Sequence, residues 1–143
     1  MEKYFEILKK MPLFYDIEER DMASLLKCLS AHTNDYKKDQ VIFREGDMVD
    51  KIGIVLKGMV RLSRIDYFGN NNIVASVAKG QTFAEVMVCA GIEEISVTAE
   101  ASQMSTIMFI DFGKILTTCS NNCLFHQKII RNMIRNLAAK NLI

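Results

Sequence analysis

The stretch YKKDQVIFREGDMVDKIGIVLKGMVRLSR, residues 36–64, decides the fold. Three short apolar runs stand in it: Val41–Phe43, Ile52–Leu56 and Val60–Leu62. They are rich in Val, Ile and Phe, the residues that suit a pleated, half-buried strand. Turn signals separate them, at Glu45-Gly46-Asp47 and Lys57-Gly58. Gly53 is different, because it sits inside a strand pattern, where glycine marks a bulge or a close backbone approach. The rhythm continues outward through Ile73–Val77, Val97–Ala99 and Ile107–Ile110. Further turns follow at Phe68-Gly69-Asn70-Asn71-Asn72 and Lys79-Gly80-Gln81. Gly46, Gly58, Gly69, Gly80 and Gly91 recur at near-even spacing. Even turns in an all-β stretch predict a sandwich or a barrel-like roll over residues 31–110.

Helical patterns flank this block. Met22, Leu25, Leu26 and Leu29 recur at helical spacing. Asp16, with Glu19 three positions on, reads as a capping-box start for that helix. Pro12 divides it from a shorter helix over residues 2–10. The link Met11–Phe14 should tuck Leu13 and Phe14 into the core. After the strands, Asp111–Cys119 reads as a short helix, and Asn121 and Asn122 break it and cap the next. From Cys123 onward Leu124, Ile130, Met133, Ile134, Leu137 and Ala138 form an apolar stripe. Ile130, Met133 and Leu137 fit an a-d-a heptad reading.

Composition narrows the function classes. Half of the 143 residues are hydrophobic and 24% are charged, as in a folded globular chain. Net charge is +1, from 18 basic and 17 acidic residues interspersed along the chain. That lacks the basic footprint of a nucleic-acid binder. No apolar run approaches the roughly 20 residues that span a bilayer. The opening MEKYFEILKK has no apolar region of the signal-peptide kind. The expected location is the cytoplasm, with no membrane partner. Cys28, Cys89, Cys119 and Cys123 contain no C-x-x-C pair, and reduced, mostly buried thiols are expected.

With those residues in hand, the chain resembles the sensor half of a Crp/Fnr-type transcription regulator. Lys38-Asp39, Val41-Ile42-Phe43, Glu45-Gly46-Asp47 and Ile54-Val55-Leu56-Lys57-Gly58-Met59-Val60 follow the order found in cyclic-nucleotide-binding domains. Asp39 stands where the family usually has glycine. Gly80-Gln81-Thr82-Phe83-Ala84-Glu85 and Val97-Thr98-Ala99-Glu100-Ala101 match the second half of the family pattern. The resemblance implies a mainly β fold with flanking helices. This is a cyclic-nucleotide-binding-like double-stranded β-helix (jelly roll) followed by a long C-terminal helix. The expected division is a sensor domain over residues 1–120, with N-terminal helices 2–30 and the roll 31–110, then a dimerisation helix 121–143. The family's helix-turn-helix domain is expected to be absent from this chain, so DNA would be contacted only through that missing domain.

The resemblance also implies a site. In nucleotide-binding members a glutamate, here Glu85, holds a ribose hydroxyl beside a short helix whose N–H groups favour an anion. An arginine about ten residues on neutralises the cyclic phosphate. Here the segment from Glu85 to Thr98 contains no Arg or Lys, and Ile95 stands before Ser96 in the arginine's place. Ala84 replaces the glycine that lets backbone approach ligand. Cyclic AMP is therefore not the expected effector. The candidate pocket comprises Phe83, Ala84, Glu85, Val86, Ile95, Ser96, Val97, His126 and Ile130, and an apolar cassette of this kind holds a hydrophobic effector or is simply filled. Plain core packing explains Phe83, Val86, Ile95 and Val97 singly, and a local cap or ion pair explains Glu85 equally well.

No metal, catalytic residue or cofactor is expected, and the small-molecule effector is unidentified. Four cysteines at these spacings do not offer an iron–sulfur site. Haem ligation by His32 or His126 is weaker than a structural reading of each. A cupin-type metal enzyme needs several histidines, and only these two exist. The partners expected are a second copy, through Ile130, Met133, Ile134 and Leu137, and no enzyme substrate. The alternative reading is a cyclic-nucleotide-binding regulatory domain of a signalling protein.

Overall fold

The structure is a computed structural model that describes residues 2–92, 94–114 and 124–141, without the side chains of 2, 124–126, 140 and 141. It divides into two compact units, residues 32–109 and the two flanks 1–31 and 110–143.

Residues 32–109 form the roll. Its strands are β1 (His32–Tyr36), β2 (Val41–Phe43), β3 (Ile52–Lys57), β4 (Met59–Ile65), β5 (Asn71–Ala78), β6 (Thr82–Phe83), β7 (Thr98–Ala101) and β8 (Ser105–Ile110). They make two four-stranded sheets, ordered β1-β8-β3-β6 and β2-β7-β4-β5. The described pairings are antiparallel, and the core draws on Ile54, Val55, Val60, Ala99 and Ile107, while the β5 run leaves only Val77 buried. Each apolar run read from the sequence lies in or overlaps a strand. Two strands carry no such run. β1 is HTNDY, with no residue fully buried, and is held by its ladder to β8 from His32↔Phe109 to Tyr36↔Ser105. β6 is two residues long, paired Gly53↔Phe83 and Ile54↔Thr82.

The glycine inside β3 has a structural reason. A Cβ on Gly53 would lie 2.3 Å from Phe83 Cζ, so the aromatic ring occupies the space of a side chain. The hairpin between β4 and β5 turns on Asp66. Its Oδ1 accepts the N–H groups of Phe68 and Asn70 at 2.9 and 2.8 Å, and its Oδ2 accepts Asn72 Nδ2 at 3.1 Å. The Asn70 amide above all holds the Asp66 carboxyl below its ordinary value.

The second unit contains α1 (Phe5–Lys9), a 3-10 turn Pro12–Phe14, α2 (Glu19–Cys28) and the long C-terminal helix Leu124–Asn141. Leu13 and Phe14 are each 1% exposed, as the sequence predicts. The capping box does not form. Asp16 takes a left-handed backbone (φ 64°), and α2 begins only at Glu19 with Glu18 as an N-cap making no side-chain bond. The turn puts the Asp16 carboxylate out of reach of the helix amides, and Lys128 Nζ meets it at 3.4 Å instead.

Within the chain the C-terminal helix buries the face bearing Ile129, Asn132 and Met133. Ile129, Asn132 and Met133 are 0%, 4% and 2% exposed, while Ile134 is 62% exposed and Ile130 and Leu137 are half-buried. Met133, central to the heptad reading, is thus packed inside its own chain. Asn132 explains the choice of face. Its Nδ2 donates to the carbonyls of Leu13 and Tyr15 at 2.9 and 2.8 Å, and Lys128, one turn earlier, donates to the Asp16 carbonyl at 3.0 Å. A turn with three carbonyls aimed at one helix selects the face that carries donors. Residues 113 and 114 are helical, and the remainder of the expected Asp111–Cys119 helix, with Asn121 and Asn122, lies outside the described residues.

Two thiols depart from expectation. Cys28 and Cys89 are free but exposed rather than buried, because each falls on the outer face of its helix; Cys119 and Cys123 lie outside the described residues.

Candidate effector pocket

β6 ends at Phe83, and Ala84 swings the chain into α3 (Glu85–Cys89) with φ 69° and ψ 0°. This left-handed conformation costs an L side chain about 1–2 kcal/mol, which is why glycine is at home there. Asp39, the other residue at a family glycine position, has φ 68°. Both turns therefore persist without their glycine. Asp39 recovers part of the strain through Arg61, whose Nη2 lies 3.5 Å from Asp39 Oδ1 and 3.2 Å from Glu100 Oε2.

Four of the nine expected pocket residues come together. Phe83 (2% exposed), Ala84, Ile95 (3%) and Val97 belong to one core cluster with Phe43, Val55, Val60, Val77, Ala99 and Ile107. Phe83 sits with ring centroids 6.0 Å from Phe43 and 6.5 Å from Phe109. Glu85 opens α3 and is 2% exposed, a carboxyl drawn inside the roll. Val86, by contrast, is 49% exposed, since it follows Glu85 on a short helix and turns to the other side. Ser96 is exposed too, its Oγ 3.5 Å from Met87 Sδ. His126 and Ile130 belong to the helical unit. The His126 side chain lies outside the described residues.

Ile95 is fixed from the front half of the sequence. Gly46 N–H donates to the Ile95 carbonyl at 2.8 Å, and Ile95 N–H donates to the Asp47 carbonyl at 2.9 Å. Glu45 N–H donates to Thr98 Oγ1 at 3.0 Å. The Glu45-Gly46-Asp47 turn thus fixes the backbone of Ile95, just before β7. Arg64, at the end of β4, donates its Nε–H to the Ser96 carbonyl at 3.2 Å. Sequence reasoning missed this cation, because it reaches the cassette from 32 residues away along the chain. Partial desolvation against its neighbours raises the Cys89 thiol on α3 above its ordinary value, although the residue as a whole is exposed. Among the described residues no group of three His, Cys, Asp or Glu side chains is placed to hold a metal ion. None of the described helices is long and apolar enough to cross a membrane.

Solved structures share this architecture. A cyclic nucleotide-binding domain from Methylobacillus flagellatus KT superimposes with TM-score 0.80 at 21% identity, over 97% of this chain and 79% of that one. The sensor domain of the transcriptional regulator DNR from Pseudomonas aeruginosa gives TM-score 0.74 at 20% identity, over 98% and 94%. The Thermus thermophilus catabolite activator protein gives 0.72 at 22% identity over 92% of this chain, which spans 58% of that protein. No curated protein sequence matches the chain. At these identities the likeness speaks for the fold. The family model described as cyclic nucleotide-binding domain matches residues 33–122, more than half of the chain, from within the first strand past the last; this chain belongs to the cyclic nucleotide-binding domain family.

Proposed function

We propose that the chain is the effector-sensing and dimerisation module of a Crp/Fnr-type transcription regulator, and that its effector is not cyclic AMP. The observation that carries the reading is Ile95. It is 3% exposed and packed with Phe83, Ala84 and Val97 where the family's arginine belongs. A cyclic phosphate there would be buried beside an isoleucine and lack its counter-charge, at a cost of several kcal/mol. An apolar effector suits this lining better. Likeness to the DNR sensor domain supports a regulator's sensor rather than an enzyme.

In this reading residues 1–120 sense, and the helix from 121 pairs with a second copy in the cytoplasm. Ile134, 62% exposed, and the half-buried Ile130 and Leu137 supply the face, Met133 being spent internally. DNA contacts belong to a helix-turn-helix domain outside this chain, since its charge is balanced at +1.

Calorimetry with millimolar cyclic AMP tests the first claim. No binding heat is expected. A micromolar Kd, about −8 kcal/mol, would overturn it and make Arg64 the first cation to replace. The family match itself favours a second reading, a nucleotide-responsive domain of a signalling protein, which requires that opposite result. Sedimentation tests the dimer: the Ile130→Glu, Leu137→Glu double variant should run as monomer, because buried carboxylates without partners are costly. Unchanged dimers would move the interface elsewhere.

A further inference from the structure

We propose that the helical unit carries a binding site for a small organic anion with an apolar body, in the cleft between residues 9–15 and the C-terminal helix. The cleft has a volume of about 340 Å³, near the low end of ligand pockets. Its floor is apolar: Met11, 4% exposed, with Pro12 and the ring of Tyr15. Its rim is cationic: Lys9 and Lys10 on one side, Arg135 on the other.

Two carboxylates of this unit are engaged with lysines. Glu19 Oε2 lies 3.3 Å from Lys9 Nζ, and Asp16 Oδ2 lies 3.4 Å from Lys128 Nζ. Lys10 and Arg135 are exposed. Lys10 and Arg135 thus present exposed cations at the mouth, although the whole chain is nearly neutral. The walls are also pre-set. Asn132 lines the cleft, and its Nδ2 ties the Leu13 and Tyr15 carbonyls to the helix. A ligand entering here meets a fixed floor and need not order it first. The arrangement suits a carboxylate or phosphate head on Arg135, whose planar fork matches such heads, and an alkyl or aryl body on Met11 and Pro12. The site is separate from the cassette around Ile95 and does not depend on what that cassette binds.

Octanoate is the probe, titrated into the whole chain and followed by amide and Arg side-chain NMR, with octan-1-ol and inorganic phosphate in parallel. Saturable shifts are expected at Tyr15 and Arg135, with octanoate binding about tenfold more tightly than either control. Arg135→Gln should weaken octanoate by about tenfold. Arg131→Gln, which removes an exposed cation of the same helix away from the cleft, should leave it unchanged. Equal binding of octan-1-ol, or equal loss in both variants, overturns the proposal. So do shifts confined to Phe83 and Ile95, which would instead mark octanoate as a ligand of the cassette.

Discussion

Replacing Gly53 by alanine tests how the cassette is seated. The added Cβ would stand 2.3, 2.5 and 2.7 Å from Phe83 Cζ, Cε1 and Cε2. Carbon atoms pack at about 3.5–4.0 Å, so the ring must retreat by more than about 1 Å. It has little room to do so. Phe83 is 2% exposed, lies between Phe43 and Phe109, and is paired through its backbone to Gly53 itself. Overpacking of this kind costs about 1–3 kcal/mol, and a fixed backbone on one side favours the upper half of that range. Urea unfolding at 25 °C should show a lower midpoint for Gly53→Ala with an unchanged slope. Phe83→Leu removes the ring edge that the new methyl strikes. The double variant should therefore be less destabilised than the two single losses combined, with coupling of about 1–2 kcal/mol. A Gly53→Ala protein within about 0.5 kcal/mol of the parent, or strict additivity in the cycle, would refute the argument that this glycine exists to admit the ring.

Gly58→Ala combines a left-handed backbone (φ 89°) with a Cβ 2.5 Å from the Met104 carbonyl oxygen, whereas Gly69→Ala (φ 84°) meets nothing within 4 Å. Thermal melts should show about 1–2 kcal/mol lost at Gly69 and clearly more at Gly58; equal losses would mean that backbone strain alone decides both. Asn132→Leu strands the Leu13 and Tyr15 carbonyls and should cost about 2–3 kcal/mol in urea unfolding. Asn132→Asp should be worse at neutral pH, since a carboxylate faces two carbonyls, and should recover as acid protonates it into a donor. Asp66 is held below its ordinary carboxyl value, so its contribution is complete above the unfolded-state value of about 3.9 and fades as pH falls through the lower folded value. Asp66→Asn should flatten that part of the stability–pH curve, and an unchanged acid limb would remove Asp66 from the account.

Much of this protein was legible locally. Strand identity follows from β-branched and apolar runs, and turns follow from glycine with Asx residues, because both depend on a few neighbouring residues. The positions of Asp39 and Ala84 were legible too: each stands in a glycine place, and each has a positive φ. That Ile95 precedes Ser96, with no Arg or Lys from Glu85 to Thr98, is read directly from the sequence. What no window of sequence contained was any feature made by two distant segments. β1 has no apolar pattern and exists because β8 offers it a ladder. The capping box at Asp16 was a sound local pattern that lost to a distant lysine. The stripe on the last helix has room for several faces, and hydrophobicity alone pointed to Ile130 and Met133 as one seam. The turn at Leu13–Asp16 meets the face bearing Ile129 and Asn132, where Asn132 and Lys128 donate to the carbonyls of Leu13, Tyr15 and Asp16. Arg64 reaches Ser96 for the same kind of reason: the β4–β7 pairing brings their ends together. Propensity and periodicity act over a single turn or pleat, whereas hydrogen-bond satisfaction and close packing are settled only once the chain has closed on itself.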